Sequence, residues 1–293
     1  MKIAFITMEK AGNRPENSVG SSRIRARWVY KHWDNAEEWT VGRKYDAVIF
    51  QKVYWDELMD NFDGIKILDL CDPDWLEGRD VMKYVDKVDA VTTSTQALAD
   101  YIIKLFPDKK IICIPDRIDL AEHTLIKTTH SSKLKKLVWF GYSNNFEYIQ
   151  DILEDSRGRE LFKDNGLSLT VFTDSQIDIS NKSKEYIPFI WKKYEYSRMH
   201  EELVKYDAAF FPSTRATANL RGQYKSNNKL LTCKALGLPI IMEPEDILTL
   251  LPQPIREKMS SEGVQEVKDK WDVKLSVTEY QNLISDILKT RNG

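Results

Sequence analysis

Short apolar runs alternate with helical stretches along almost the whole chain. KIAFIT (2–7), YDAVIFQK (45–52), IKILDLCD (65–72), VDAVTTST (88–95) and KKIICIPD (109–116) each predict a buried strand. The segments between them, among them 22–33 and ALADYIIKLF (97–106), predict helices. Strands separated by helices imply right-handed βαβ units and a parallel sheet. Residues 121–133, AEHTLIKTTHSSK, are polar with little pattern and read as a linker. The alternation then restarts with KLVWFGYS (136–143), a long helix near 145–164, LSLTVFTD (167–174), YIPFIW (186–191), a helix at 197–205, YDAAFFPS (206–213) and PIIMEP (239–244). A last helix, VTEYQNLISDILK (277–289), has apolar residues at helical spacing and needs a surface to bury. The expected architecture is α/β: two doubly wound domains, 1–125 and 126–275, with parallel sheets facing a cleft. The C-terminal helix, 276–293, stands outside both. No internal repeat and no low-complexity tract interrupts the pattern.

Composition narrows this picture only a little. A chain of 293 residues suits two cores, and 42% hydrophobic with 30% charged residues reads as globular. A net charge of −2 gives no global basic footprint for nucleic acid, although a local basic groove stays open. Cys71, Cys113 and Cys233 lie far apart with no CxxC pair, which predicts buried structural thiols in place of a zinc site or disulfide framework. The N-terminal MKIAFITMEKAG lacks a long apolar core, and no run of about 18 apolar residues is present. The expected setting is the cytoplasm, without a membrane span.

Ligands of such sheets bind at the loops that follow strands. The loop after the first strand carries Gly20, Ser21 and Ser22, then Arg23, Arg25 and Arg27 at a helix start. Free amides there suit an anion, and cations there oppose the helix dipole unless an anion or acidic residues answer them. GYSNN offers Gly141 for close backbone approach to a ligand, with Tyr142, Ser143 and Asn144 behind it; Asn144 alternatively caps the next helix. Asp116 and Arg117 of IPDRIDL are expected to project toward the cleft. Asp69, Asp72 and Asp74 end the third strand, where Asp72 or Asp74 is a candidate base or acceptor contact and Asp72 with Pro73 is equally a turn. One loop supplies too few oxygens for a cation site. The densest candidate is TRATANLRGQYKSNNK (214–229): Arg215, Arg221, Lys225 and Lys229 surround Ser226, Asn227 and Asn228 just before an apolar helix. The three small polar residues are good caps, while the cations suit a diphosphate. His32, His123, His130 and His200 show no metal spacing, and GxSxG, P-loop and GxGxxG motifs are absent.

The order and spacing of five segments resemble the GT-B glycosyltransferases, specifically the retaining, family-four-like group that uses nucleotide-sugar donors. VDAVTTSTQALADYI resembles that group's D-x-v-x-x-x-S strand and helix, and IICIPDRIDL its I-P-N-G-V-D element. KLVWFGYSNN resembles the glycine-containing strand and loop that opens the second domain. EELVKYDAAFFPS resembles the D-v-x-v-x-P-S strand, and KLLTCKALGLPII the K-l-x-E-x-x-A-x-G-x-P-V-I helix and strand. The resemblance implies two Rossmann-like domains, with donor bound mainly by the second and acceptor mainly by the first, and a C-terminal helix, 276–293, that crosses back to the first domain. It places Lys229 at the donor diphosphate, helped by Arg221 or Lys225, and brings Gly20–Ser22 to the same phosphates. It implies a hexosyl- or pentosyltransferase of the retaining type, with a nucleotide-diphosphate sugar as substrate and no cofactor or metal.

The chain departs from the group at its E-x(7)-E signature: the two glutamate positions hold Tyr224 and Thr232, and Glu243 and Glu245 are the substitutes for the ribose contact. The I-P-N-G element reads Ile-Pro-Asp-Arg, and the chain is short for the architecture. The expected site therefore comprises Lys229, Arg221 and, for an inverting route, Asp72 as catalytic groups. Gly20, Ser21, Ser22, Gly141, Tyr142, Ser143, Asn144, Lys225, Ser226, Asn227, Asn228 and Glu243 face the donor, and Arg23, Asp74, Asp116 and Arg117 the acceptor. Glycan, lipid-linked sugar, protein and modified DNA base stay open as acceptors. A nucleotide-sugar sensor that has lost catalysis and a GT-B-type sugar epimerase are the alternatives.

Overall fold

The computed structural model describes residues 1–14, 19–212 and 222–292, with only the backbone of Tyr148 and Asn292. Its contacts divide the chain into two compact units. The first comprises Met1–Asp119, Gln223–Asn228 and Trp271–Gly293, and the second Leu120–Gly222 and Lys229–Lys270.

The first unit is built on strands β1 (Ile3–Thr7), β2 (Ala36–Glu38), β3 (Ala47–Gln51), β4 (Ile65–Leu70), β5 (Ala90–Thr93) and β6 (Lys110–Cys113). They form a parallel sheet in the order β2-β1-β3-β4-β5-β6. Every residue of β1 and β3 is buried, which is why these strands read as unbroken apolar runs and not as alternation. Strand β2 left no such signal. Its Ala-Glu-Glu sequence sits at the sheet edge, half-buried, where charge keeps the edge from pairing further. The helical run after β1 is continuous from Gly20–Ser22 through a π-helical stretch, Arg23–Arg27, to Trp28–Lys31. The last helix, Val273–Asn292, packs on Trp28–Lys31 and buries Tyr280, Leu283, Ile284 and Ile287 in this unit.

The second unit contains β7 (Lys136–Phe140), β8 (Ser168–Thr173), β9 (Phe189–Lys193), β10 (Ala208–Phe210) and β11 (Ile240–Ile241), parallel in the order β11-β10-β7-β8-β9. Leu137, Trp139, Leu169, Val171 and Phe210 turn to one core, and Val138, Phe140, Phe172 and Ala209 to the other. This is the alternation of a sheet covered on both faces. The long helix expected near 145–164 is two helices, Glu147–Glu154 and Ser156–Asp164. Asp155 lies between them in extended conformation, and its carboxylate accepts the amides of Arg157 and Gly158. An aspartate that can cap a new helix competes with continuing the old one. Residues 121–133 carry no helix or strand, yet His130 is buried and its Nε2 lies 2.8 Å from Ser260 Oγ. Cys71 and Cys233 are buried thiols as expected, whereas Cys113 is only half-buried. Among the described residues, no helix is long and apolar enough to cross a membrane.

Candidate functional site

The second sheet reverses its strand order at β7. The chain runs from β7 to β8 and β9 on one side, then to β10 and β11 on the other. Connections that leave in opposite directions open a crevice at the carboxyl ends of β7 and β10. Gly141 follows β7 there, and Phe211 follows β10. Lys229, on the helix Asn228–Ala235, brings its ammonium to these strand ends. The ammonium lies 5.0 Å from the Trp139 ring centroid and 5.7 Å from that of Phe211. A Cβ added to Gly141 would sit 2.5 Å from Lys229 Nζ and 2.9 Å from the Trp139 indole. Glycine at 141 is therefore what lets the cation lie against the strand end. Two aromatic rings attract an ammonium through their quadrupoles.

The rest of the predicted donor loop is fixed by its neighbours. Ser143 donates its amide to Asp174 Oδ1 at 2.7 Å, and its hydroxyl accepts from Ser175 at 2.7 Å. Asn144 lies exposed in the turn Ser143–Asn145 and caps no helix, because Glu147–Glu154 begins from Phe146 without a side-chain cap. Tyr142 is 49% exposed. Glu243 follows β11, and Asp246 holds its amide at 2.9 Å. A depression of about 270 Å³ beside β8 and β9 adds Lys192, Lys193 and Arg198 to the carboxyl edge of this sheet.

Other predicted donor and acceptor residues belong to the first unit. Ser226 Oγ donates to Asp116 Oδ2 at 2.6 Å, and Asn228 Nδ2 lies 3.3 Å from the same oxygen. Lys225 is half-buried and Asn227 exposed. Arg221 and Arg215 lie outside the described residues. Asp116 and Arg117, expected to project, are both buried. Asp116 accepts from Arg25, and Arg117 donates to both carboxylate oxygens of Glu279 at 2.6 and 2.6 Å and to Ser276 Oγ at 2.9 Å. A buried guanidinium needs a carboxylate, and the last helix supplies it.

The arginines of the first loop are answered internally too. Arg25 is fully enclosed. It bonds both oxygens of Asp69 at 2.8 and 2.6 Å, Asp116 at 2.8 Å and the Ile114 carbonyl. Burial pulls its pKa down, but Asp69 and Asp116 outweigh burial and hold it well above the ordinary value. Arg27 pairs with Glu9 at 2.8 Å. Arg23 is buried with its guanidinium 5.8 Å from the Trp28 ring. Ser22 donates to Gln51 in the interior, while Gly20 and Ser21 are half-buried.

One group escaped the sequence reading. The first sheet also reverses, between β1 and β3, and Lys52 follows β3 with φ 52, a left-handed conformation uncommon for lysine. Its ammonium bridges Asp72 at 2.8 Å and Asp74 at 2.9 Å, and Tyr54 donates to Asp74 at 2.7 Å. Burial would depress this lysine, but Cys71, Asp72 and Asp74 outweigh it and raise its pKa. Asp74 is buried, whereas the Asp72 side chain stays 33% exposed. The only sequence signal was a polar residue ending an apolar run. Among the described residues, no group of three or more His, Cys, Asp or Glu side chains is placed to hold a metal ion.

No protein-family model matches the sequence, and no curated protein matches it. Solved structures do. An α-glucosyltransferase in complex with UDP and a 13-mer DNA containing a central A:G mismatch aligns at TM-score 0.63 and 12% identity, over 97% of this chain and 98% of that one. S. aureus TarM, in complex with UDP, aligns at 0.60 and 11% identity, over 81% of this chain and 55% of its own. The pneumococcal O-GlcNAc transferase GtfA, in complex with UDP and GlcNAc, aligns at 0.52 and 12%, over 83% and 57%. The chain thus spans about half the length of TarM and GtfA. At such identities the likeness establishes the architecture: this chain has the GT-B fold, two Rossmann-like α/β domains with parallel sheets.

Proposed function

We propose that the chain is a glycosyltransferase that moves a sugar from a nucleoside-diphosphate sugar to an acceptor hydroxyl. The observation that carries this reading is the Lys229 ammonium lodged over Gly141 at the strand-order reversal of the second sheet. In the proposed reaction the bond between the sugar anomeric carbon and the β-phosphate oxygen breaks, and the diphosphate leaves with the electron pair. A bond forms from the acceptor oxygen to that carbon. Charge grows on the diphosphate in the transition state, so a fixed cation placed there lowers the barrier. The reading assigns that task to Lys229, with Arg221 as helper, and needs no divalent cation. In a retaining reaction the departing phosphate takes the acceptor proton; in an inverting one Asp72 takes it. UDP is the proposed donor nucleotide, since TarM, GtfA and the α-glucosyltransferase are each in complex with UDP.

The test is release of UDP from UDP-glucose, UDP-galactose and UDP-N-acetylglucosamine. Lys229→Ala is expected to lower turnover by about 10²–10³-fold, the usual cost of losing one stabilising contact to developing charge, with an unchanged circular dichroism spectrum. Unchanged turnover refutes the assignment. A second reading is favoured by Thr232, which stands where the resembling group has a ribose-binding glutamate: a nucleotide-sugar sensor without turnover. UDP-sugar that stabilises the protein against heat yet is never cleaved selects that reading.

A further inference from the structure

The carboxyl edge of the first sheet carries a half-buried aromatic cluster, of which Trp75 and Tyr101 pack on the core beneath. Trp75 and Tyr101 stack with centroids 4.6 Å apart and planes 6° from parallel. Tyr224 stands edge-on to both, at 5.8 and 5.9 Å. The rings come from the turn after β4, the helix Gln96–Leu105 and the segment Gln223–Asn228, all in the first unit, and each is half-buried. The Thr95 hydroxyl holds the Tyr224 backbone carbonyl at 3.4 Å. Asp72 lies three residues before Trp75 in the same turn, one third exposed and held by the Lys52 ammonium at 2.8 Å. The turn that bears Trp75, residues 72–80, contains Asp72, Asp74, Glu77 and Asp80 against a single Arg79, and Leu76–Asp80 are exposed.

We propose that this face binds the acceptor as a neutral saccharide, with a sugar ring laid against the Trp75–Tyr101–Tyr224 cluster and its hydroxyls donating to Asp72. The inference rests on the transferase reading and names its acceptor class. Half-exposed aromatic surface favours the C–H-bearing face of a sugar ring, and a few placed polar groups orient it. An ionised carboxylate only accepts, so it suits a hydroxyl donor. Asp72, Asp74, Glu77 and Asp80 still outnumber Arg79 and the Lys52 ammonium that bridges the first two, an excess that disfavours a phosphodiester chain or an anionic lipid. Lys52 acts as a positioning residue: it fixes Asp72 without touching the sugar.

Isothermal titration of the full chain with maltotriose, cellotriose, chitotriose and mannotriose tests this, with UDP and a 13-mer DNA duplex alongside. At least one trisaccharide is expected to bind. Trp75→Ala and Asp72→Asn are each expected to weaken that binding tenfold or more, and Trp75→Ala to leave UDP affinity unchanged. Lys52→Met is expected to weaken it as well, with Lys52→Arg restoring part. UDP binding with no trisaccharide bound, or DNA binding in its place, overturns the proposal. Trisaccharide binding that survives both Trp75→Ala and Asp72→Asn overturns the site. Failure of UDP to bind sinks the transferase reading separately, because saccharide binding is read without it.

Discussion

Lys229 and Gly141 define each other. The ammonium occupies the space a side chain at 141 would take, so Gly141→Ala is expected to displace the lysine and weaken UDP binding as Lys229→Ala does. The Trp139 indole is buried and must also shift, adding a stability cost of about 1–3 kcal/mol for an overfilled core. Titration with UDP and thermal unfolding of the same variant separate the two effects. His130 offers a second residue-scale prediction. Burial, then repulsion from Lys127 and Arg256, holds its pKa below the ordinary value. The unfolded chain therefore binds a proton that the folded one refuses. Stability is full above about pH 6.5, the unfolded value, and falls as pH drops toward the depressed folded one. Thermal unfolding at pH 7.5, 6.5 and 5.5 should show His130→Asn flattening that loss. Sequence picked out Lys229 because a cation at a helix start is locally costly, and Gly141 because a glycine after a strand lets the backbone approach a ligand. It left open whether Arg25 and Arg27 meet an anion or acidic residues, because the partners that answer them, Asp69, Asp116 and Glu9, are distant in sequence and invisible to any local rule.

At the level of elements, the strands other than β2 were legible and two helical features were not. The expected helix at 145–164 is interrupted where Asp155 caps the second helix. Gly158, four residues after the first helix ends, approaches so closely that an added Cβ would lie 2.0 Å from the Ile152 carbonyl oxygen. That contact is with backbone and cannot move cheaply. Gly158→Ala is expected to destabilise the second unit far more than Asp155→Ala, which removes a cap contributing about 1 kcal/mol. Thermal denaturation of the pair ranks them, and equal losses contradict the packing at this corner. The helix Gln253–Lys270 went unseen because its buried positions are Arg256, Ser260, Gly263 and Val267. Their spacing is helical, but three are polar or small, so no apolar period marks the helix. Arg256 donates to the carbonyls of Leu250, Leu251 and Ser131, a use of a buried guanidinium that sequence patterning does not register.

For the whole molecule, the chain leaves the first unit after Asp119, returns for Gln223–Asn228, and returns again from Trp271. Within that unit the last helix is tied to the sheet at polar points: Tyr280 and Thr92 both reach Asp69, and Glu279 holds Arg117. Asp69→Asn removes the charge that answers Arg25 in the interior and is expected to cost about 3–5 kcal/mol, the penalty of stranding one partner of a buried pair. It should appear in calorimetry as a lowered unfolding transition of the first unit. The two α/β units were legible because strand and helix periods alternate and then restart. The pairing of Gln223–Asn228 with the first unit was not, since it depends on Asp116 meeting Ser226 and Asn228 across more than a hundred residues. The most direct measurement on the central claim is UDP release from UDP-sugars by the native chain and by Lys229→Ala. The account predicts sugar-dependent release by the native protein and a loss of about 10²–10³-fold in the variant. Equal rates in the two proteins would contradict it.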